Sequence, residues 1–367
     1  MNQKSLRDIS AYLRSYLNVF SRPQQSHFFS YLAGLIWIIR FRSIKEIARQ
    51  LQGKTWDGLH HFLVNSPWRT EEIYQENHSR IRQIGNQNAG RKILTLDDTP
   101  CPREGPKIVG TGWHHGADGL VKGLCAVTSL FMIGKLRLIW TIWGYRPKKS
   151  CAKEEFKSKV EIALEVLNQT VFLGWGLTVL MDSWYGCSKI LNFIKEQGWI
   201  FLSAIKCNRL VWINGRKTRL SHLAKGRRVY KTVKLGKKRR FRIAKLRVYL
   251  PKVGEVLLFI SKSSKGTRFF ATNDLEMTER EMGELYSQRF WIETMHQEIK
   301  GHLGFGEIFM RSWCGVQKHW ACMVVAYNII TLWNYSRSRR FKTFGQTIKR
   351  WREKFSPKMF IELCNAA

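Results

Sequence analysis

The amino-acid sequence predicts a mixed α/β protein with a helical N-terminal region and a β-rich insertion. Two features carry this expectation: a change of hydrophobic period from 3.6 to 2 near residue 92, and a long basic stretch that interrupts the strand–helix rhythm after residue 205. Leu6, Ile9, Leu13, Leu17 and Phe20 recur at helical spacing. Ser43-Ile-Lys-Glu46 has the form of a capping box, Ile47, Ala48 and Leu51 continue an apolar face, and Gly53 ends that helix. A short helix over Thr55–Phe62 would follow. The pair reads either as a helix-turn-helix or as an ordinary helical hairpin.

From Lys92 the pattern becomes that of strands. Lys92–Leu96 reads as a strand ending at Asp97-Asp98. Ala126–Ile133 and Leu136–Trp143, joined by Gly134-Lys135, read as a hairpin. An amphipathic helix is expected over Lys153–Leu167, a buried strand over Gly176–Met181, a helix over Ser188–Gln197 and a strand over Trp199–Ile205. Residues 206–247 hold many cations, among them Lys237, Lys238, Arg239 and Arg240, and no Asp or Glu. Such a run repels itself unless an anion is near, which favours a phosphate-binding surface. A long helix is expected from near Thr278 past Lys300. Helices continue to a basic C-terminus with Arg337, Arg339, Arg340, Lys342, Lys349, Arg350, Arg352 and Lys354.

The chain of 367 residues fits two or three domains at about 150 residues each. Its 62 Lys and Arg against 27 Asp and Glu give a net charge of +35, which points to a polyanion partner. A membrane surface fits less well, because no long basic amphipathic helix stands out. The longest apolar run, Tyr31–Ile39, is too short to cross a bilayer, and residues 1–20 carry no signal-peptide core. A soluble cytoplasmic protein is therefore expected. The eight cysteines form no Cys-x-x-Cys pair, which argues against a zinc ribbon or redox pair. The adjacent pairs His60-His61 and His114-His115 do not suit shared metal sites, since neighbours in sequence face apart.

Chemistry is suggested by three acidic positions. Asp97-Asp98 and Asp182 each close an expected strand, and Glu293 sits inside the expected long helix. Carboxylates so placed can hold hard divalent cations, although a strand-end Asp also serves simply to form turns. On one continuous helix Tyr286, Arg289, Glu293 and Lys300 fall at about 0°, 300°, 340° and 320°, a single stripe. An acid flanked by cations and a Tyr suits a metal ligand between phosphate clamps. A plain surface helix with Glu–Arg and Glu–Lys neighbours is the other reading of this spacing.

Tyr286-x2-Arg289-x3-Glu293-x6-Lys300 resembles the signature of bacterial insertion-sequence transposases of the DDE, cut-and-paste type. Leu96-Asp97-Asp98-Thr99 resembles the family's first Asp block, and Asp98–Gly105 with Gly112-Trp-His-His115 fits the stretch after it. Met181-Asp182-Ser-Trp-Tyr-Gly186 and Gly198–Lys206 resemble the second Asp block and its following strand. The resemblance covers roughly residues 90–310. It implies a ribonuclease-H-like mixed sheet flanked by helices. The implied domains are a helical DNA-end-binding domain at 1–90, a catalytic domain at 91–310 with a β-rich basic insertion at 206–273, and a basic helical region at 311–367. It implies that Asp97, Asp182 and Glu293 bind metal, with Asp98 the alternative to Asp97. The Thr two residues after the catalytic Asp selects Asp97. Tyr286, Arg289 and Lys300 would hold DNA phosphates, joined by Lys237, Lys238, Arg239 and Arg240 of the basic run. Phe290 or Trp291 would stack on an unpaired base, with buried core the stronger reading for Trp291. Two Mg2+ ions, with Mn2+ able to substitute, would serve cleavage at terminal inverted repeats and joining to target DNA. The implied assembly is a homodimer in a synaptic complex, working on the bacterial nucleoid in the cytoplasm. A non-catalytic nucleic-acid-binding protein, or a ribonuclease-H-like nuclease without strand transfer, are the alternatives.

Overall fold

A computed structural model describes residues 9, 11–51, 53–103, 105, 107–116, 119–226, 229–235, 239–308, 310–337 and 343–365. Lys237, Lys238, Arg339, Arg340 and Lys342 lie outside the described residues. The chain begins with helices α1 (Arg22–Trp37), α2 (Ile44–Gln50), α3 (Trp56–Val64) and α4 (Thr70–Asn86). Strands β1 (Lys92–Pro102), β2 (Gly112–Gly116), β3 (Gly119–Ile133) and β4 (Leu136–Tyr145) follow, then α5 (Lys159–Asn168), β5 (Leu177–Met181), α6 (Ser188–Glu196) and β6 (Ile200–Ile205). The inserted strands are β7 (Leu210–Ile213), β8 (Arg216–Arg219), β9 (Lys231–Leu235), β10 (Arg239–Leu250), β11 (Gly254–Ser263) and β12 (Gly266–Thr272). The chain closes with α7 (Glu279–Ser287), α8 (Phe290–His302), α9 (Trp313–Arg337), α10 (Phe344–Lys354) and α11 (Pro357–Asn365).

Two compact units share these elements. One comprises Met1–Gly90, Asp98–Ser158 and Thr294–Ala367, and the other Arg91–Asp97 and Lys159–Glu293. In the first unit β3 pairs antiparallel with β2 along its start and with β4 along the rest, as the expected hairpin through Gly134 (φ +56°). The helix α9 is buried on nearly every side, including Val316, Trp320, Met323, Val324 and Ile330. That is the pattern of a helix at the centre of a core, and among the described residues no helix is long and apolar enough to cross a membrane. Two buried amides tie helices to β4. Asn328 accepts from the Ile139 N–H at 2.8 Å and donates to Asn77 at 2.8 Å, and Asn77 donates to the Trp140 carbonyl at 2.9 Å. Each amide group is satisfied, so burial costs little.

The second unit is built on a mixed sheet. Its strand order is β1-β5-β6-β12-β11-β10-β7-β8, and β9 pairs with β10. β1, β5 and β6 are parallel, with Leu96 opposite Met181 and Met181 opposite Ser203. β5 is buried at all five residues, as a parallel strand covered on both faces must be. From β6 outward the pairings are antiparallel, with Phe269 opposite Ile205 and Leu258 opposite both Ala271 and Leu246. The expected mixed sheet with a β-rich insertion is thus present.

Several local expectations change. β1 does not end at Asp97-Asp98 but runs on to Pro102. The helix expected from Lys153 starts at Lys159, after a short 3-10 turn at Lys153–Glu155. The capping box at Ser43 is half formed. Ser43 accepts from the Glu46 N–H at 3.1 Å, but the Glu46 carboxylate turns to Arg49 and Gln50. Its competitors are the stronger, charge-assisted partners. The long helix from Thr278 is broken at Gln288-Arg289. Neither Pro nor Gly marks that break.

Two buried histidines in the first unit make stability depend on pH. His319 lies with Nε2 3.1 Å from the Gly304 carbonyl and Nδ1 2.7 Å from the Tyr31 hydroxyl. One neutral tautomer serves both, donating from Nε2 and accepting at Nδ1. Burial pushes its pKa down to about 4 and that of His78, stacked 3.5 Å from the Trp140 ring, down to about 3. Unfolded, each takes up a proton below about pH 6.5. The contribution is therefore whole above that pH and lost as pH falls toward the folded values. Urea unfolding should show stability dropping by about 4 kcal/mol between pH 7 and pH 5. A flat profile would mean that these rings are charged in the folded protein.

Candidate active site

The second unit carries Asp97 and Asp182 where the parallel pairing of β1 and β5 ends. Because Leu96 lies opposite Met181, the next residues, Asp97 inside β1 and Asp182 just past β5, follow the last pair of the parallel register. Adjacent strands are about 4.8 Å apart, so two like charges start close together there. The carboxyl ends of parallel strands are also where α/β sheets form their binding crevices.

Each carboxylate is held. Asp182 Oδ1 accepts from the backbone N–H groups of Trp184 at 2.9 Å and Tyr185 at 3.2 Å, an Asx-type turn. The turn is pinned to β6, where Ser203 Oγ donates to the Asp182 carbonyl at 3.1 Å. A Cβ on Gly186 would come within 2.7 Å of that same Ser203 Oγ and 2.9 Å of the Ala204 carbonyl. The sequence Asp182-Ser-Trp-Tyr-Gly186 thus has a structural reason at both ends. Asp97, 17% exposed, meets Arg289, whose Nη1 donates to Oδ2 at 2.8 Å. The same guanidinium reaches Glu293 Oε1 through Nη2 at 2.5 Å. Arg289 is therefore the cation shared by two of the three acids. Burial alone would lower its pKa, but Asp97, Tyr286 and Glu293 outweigh burial and raise it.

Tyr286 joins from the same side. Its hydroxyl donates to the Met181 carbonyl at 3.3 Å, one residue before Asp182, and its ring meets Phe270 edge-on at 4.5 Å. Burial is the main reason that its pKa is pushed up to about 12, against a lowering by Arg289. It stays a neutral donor at any physiological pH. The break between α7 and α8 serves this arrangement. Gln288 N bonds Leu285 O, Arg289 N bonds Tyr286 O, Trp291 N bonds Gln288 O and Ile292 N bonds Arg289 O, all at 3.0–3.1 Å. These i to i+3 bonds wind the junction as a 3-10 turn, in which residues three apart eclipse one another. Tyr286 and Arg289 are thereby brought to the same side, toward Met181 at the end of β5 and Asp97 within β1. The expected stripe survives over these residues, though not on a continuous helix.

Other expected residues fall differently. Asp98 belongs to the first unit, where it accepts from the Cys125 thiol at 3.5 Å. Successive strand residues face apart, so Asp97 and Asp98 cannot serve the same side. Lys300 lies two turns beyond Glu293 on α8, is exposed, and belongs to the first unit. Phe290 is 56% exposed and Trp291 half-buried. Arg240, on β10, is exposed. Lys318 lies on α9, in the first unit. It is buried, donates to the Ser66 carbonyl at 2.5 Å and lies 4.7 Å from the Trp68 ring. Removing it would orphan a buried carbonyl, so its replacement would cost stability. A residue that spacing did not single out is Trp184, 52% exposed two positions after Asp182, with Lys206 Nζ 4.9 Å from its ring.

Among the described residues no three His, Cys, Asp or Glu side chains are gathered as a metal cluster. The donor chemistry nonetheless fits a hard divalent ion, since Asp97, Asp182 and Glu293 offer oxygens only. The guanidinium shared by Asp97 and Glu293 stands where a cation is electrostatically wanted. Arg289→Ala should therefore cost about 1–2 kcal/mol of stability, as the half-exposed pair loses its counter-ion. Added Mg2+ should raise the thermal midpoint of that variant more than it raises that of the unaltered chain. Equal shifts would show that Arg289 does not compete for those oxygens.

The chain is similar to known transposases. A family model described as "Transposase DDE domain" matches residues 157–329, and one described as "DDE superfamily endonuclease" matches residues 15–121. The chain is 26% identical over 320 residues to a probable transposase for insertion sequence element IS701 from Microchaete diplosiphon, covering 83% of this chain and 82% of that protein. Among solved structures it resembles a piggyBac transposase synaptic complex with hairpin DNA, determined by cryo-EM. That likeness has a TM-score of 0.51 at 9% identity and covers 95% of this chain and 73% of that one. It speaks for the fold, a sheet of the ribonuclease-H-like kind.

Proposed function

We propose, for a chain that belongs to the DDE transposases of insertion sequences, that Asp97, Asp182 and Glu293 are its catalytic carboxylates. What supports the assignment is that Asp97 and Glu293 share a single guanidinium, and that Asp182 follows the residue paired with Leu96, next to Asp97 in the strand register. Asp97 is preferred over Asp98 because Asp97 shares Arg289 with Glu293, whereas Asp98 turns to Cys125. Endonucleases of this family use divalent metals, and Mg2+, with Mn2+ as a substitute, suits an all-oxygen site. When bound, a pair of such ions would supply an activated oxygen nucleophile and stabilise the leaving oxygen of a phosphodiester.

The remaining work falls to side chains. Asp182 is held by backbone N–H groups, so its free oxygen is aimed before any ligand arrives. Arg289 offers a planar fork suited to a phosphate, once cations take its place on the carboxylates. Tyr286 keeps its proton and can donate to a phosphate oxygen. Lys300 and the exposed Arg240, with Arg239, Lys237 and Lys238, would neutralise backbone phosphates. Phe290, which is exposed, suits stacking on an unpaired base.

DNA is the substrate in this reading, and the element's terminal inverted repeats are the sites cut. Hydrolysis would free a 3′-hydroxyl, which then attacks target DNA. Two copies of the chain would hold two ends together, on the nucleoid in the bacterial cytoplasm. Asp97→Ala, Asp182→Ala and Glu293→Ala should each abolish cleavage of a duplex carrying the element end while leaving DNA binding largely intact. Loss of cleavage on Asp98→Ala with full activity in Asp97→Ala would move the first ligand. Nicked ends without joined products would mark a nuclease instead. Arg289→Ala and Lys300→Ala should slow cleavage by about a hundredfold through misplacement of the scissile bond, with far smaller effects on affinity.

Affinity itself should depend on the basic run. Neutralising Lys237, Lys238, Arg239 and Arg240 together should weaken binding to every DNA sequence alike. The slope of log K against log salt should flatten by about 0.9 for each lost phosphate contact. An unchanged slope would assign the run to solvent.

A further inference from the structure

The inserted sheet carries a second surface that the carboxylate site does not use. On β7, Val211 is 1% exposed, while Leu210 and Trp212 on either side are 38% and 42% exposed. Alternation along a strand puts those two on one face, and that face is open. Trp212 lies directly opposite Tyr249 of β10, which is 53% exposed. Residues opposed in an antiparallel pair project to the same side, so an indole and a phenol stand together on open sheet. A solvated face ordinarily carries polar residues at such positions.

The surroundings give this aromatic pair a charge. On its other side Trp212 lies opposite Lys217 of β8, and Leu210 lies opposite Arg219. β8 ends the strand order of the second unit, so both cations border the patch along its outer edge. On the far side Tyr249 lies opposite Glu255 of β11. An anionic chain crossing the patch is therefore drawn toward β8 and away from β11. Two exposed rings side by side, with cations along one flank, form the arrangement that stacks bases and tracks a phosphate backbone. A duplex keeps its bases stacked inside and presents phosphates only, so rings would gain little from it. Unpaired bases would use both features.

We propose that the open face of β7, β8 and β10 binds single-stranded DNA. Two unpaired bases would stack on Trp212 and Tyr249, and the adjoining phosphates would lie along Lys217 and Arg219. This rests on the reading of the chain as an enzyme that cuts DNA, since bases at a cut strand end fray from their partners far more readily than bases inside an intact duplex.

The test is binding of the full chain, at one fixed salt concentration, to three labelled probes: a fifteen-nucleotide oligo-dT, a duplex of the same length, and oligo-rU. Trp212→Ala and Tyr249→Ala should each weaken oligo-dT binding by about fivefold to a hundredfold. Duplex binding should stay unchanged, and Trp212→Phe should restore most of the loss, because a ring remains. Both side chains are exposed, so the urea midpoints of these variants should match the unaltered chain. An unchanged oligo-dT affinity would overturn the proposal. So would an equal loss on oligo-dT and duplex, which would mark a general polyanion surface, or tighter ring-dependent binding of oligo-rU, which would mark an RNA site. None of these three results touches the transposase reading, which fails instead if the unaltered chain binds neither DNA probe.

Discussion

A single guanidinium holds the acidic end of the second unit together. Arg289 donates to Asp97 from one nitrogen and to Glu293 from the other, and Tyr286 reaches the adjoining strand end from one turn away. Without a cation among them, carboxylates brought this close repel one another. At about 4 Å, two like charges cost about 4 kcal/mol at the effective dielectric of a protein surface. The parallel register of β1 and β5 creates this problem by setting Asp97 beside Asp182. Arg289 is the cation that Asp97 and Glu293 share at this place.

The same constraint explains the broken helix. An unbroken α-helix would separate Tyr286 and Arg289 by 60° of rotation, by about 100° per residue over three residues. The tightened turn at Gln288-Arg289 removes that angle, so that both side chains meet the strand ends. Local geometry has yielded to the two long-range bonds. The exposed Trp184 and its neighbour Lys206 border the same strand ends. An aromatic beside a cation there widens the surface on which a nucleic acid can rest.

Much of this was legible in the residues themselves. The hairpin through Gly134, the buried strand before Asp182 and the strand after Trp199 follow from hydrophobic period alone, and the structure contains all three. The spacing of Tyr286, Arg289, Glu293 and Lys300 marked the helix that approaches the strand ends. What escaped notice depends on contacts distant in sequence. The break at Gln288-Arg289 has no Pro or Gly to announce it and arises from bonds to Asp97 and Met181. The burial of Lys318 depends on Ser66 and Trp68, some 250 positions away by the 252 residues that separate Lys318 from Ser66. Choosing between Asp97 and Asp98 needs the side to which each one faces, and adjacent acids look alike in a sequence. The pairing of Trp212 with Tyr249 could not be read either, because it depends on the register of strands thirty-odd residues apart.

The central claim is that Asp97, Asp182 and Glu293 converge on shared cations. The most direct measurement replaces Mg2+ with Fe2+ and adds ascorbate and peroxide, so that hydroxyl radicals formed at the bound ion cut the nearby polypeptide backbone. Mapping the fragments by mass spectrometry should place cuts next to Asp97, Asp182 and Glu293, all suppressed by excess Mg2+. Cuts confined to other parts of the chain, or cuts that Mg2+ does not suppress, would contradict the claim.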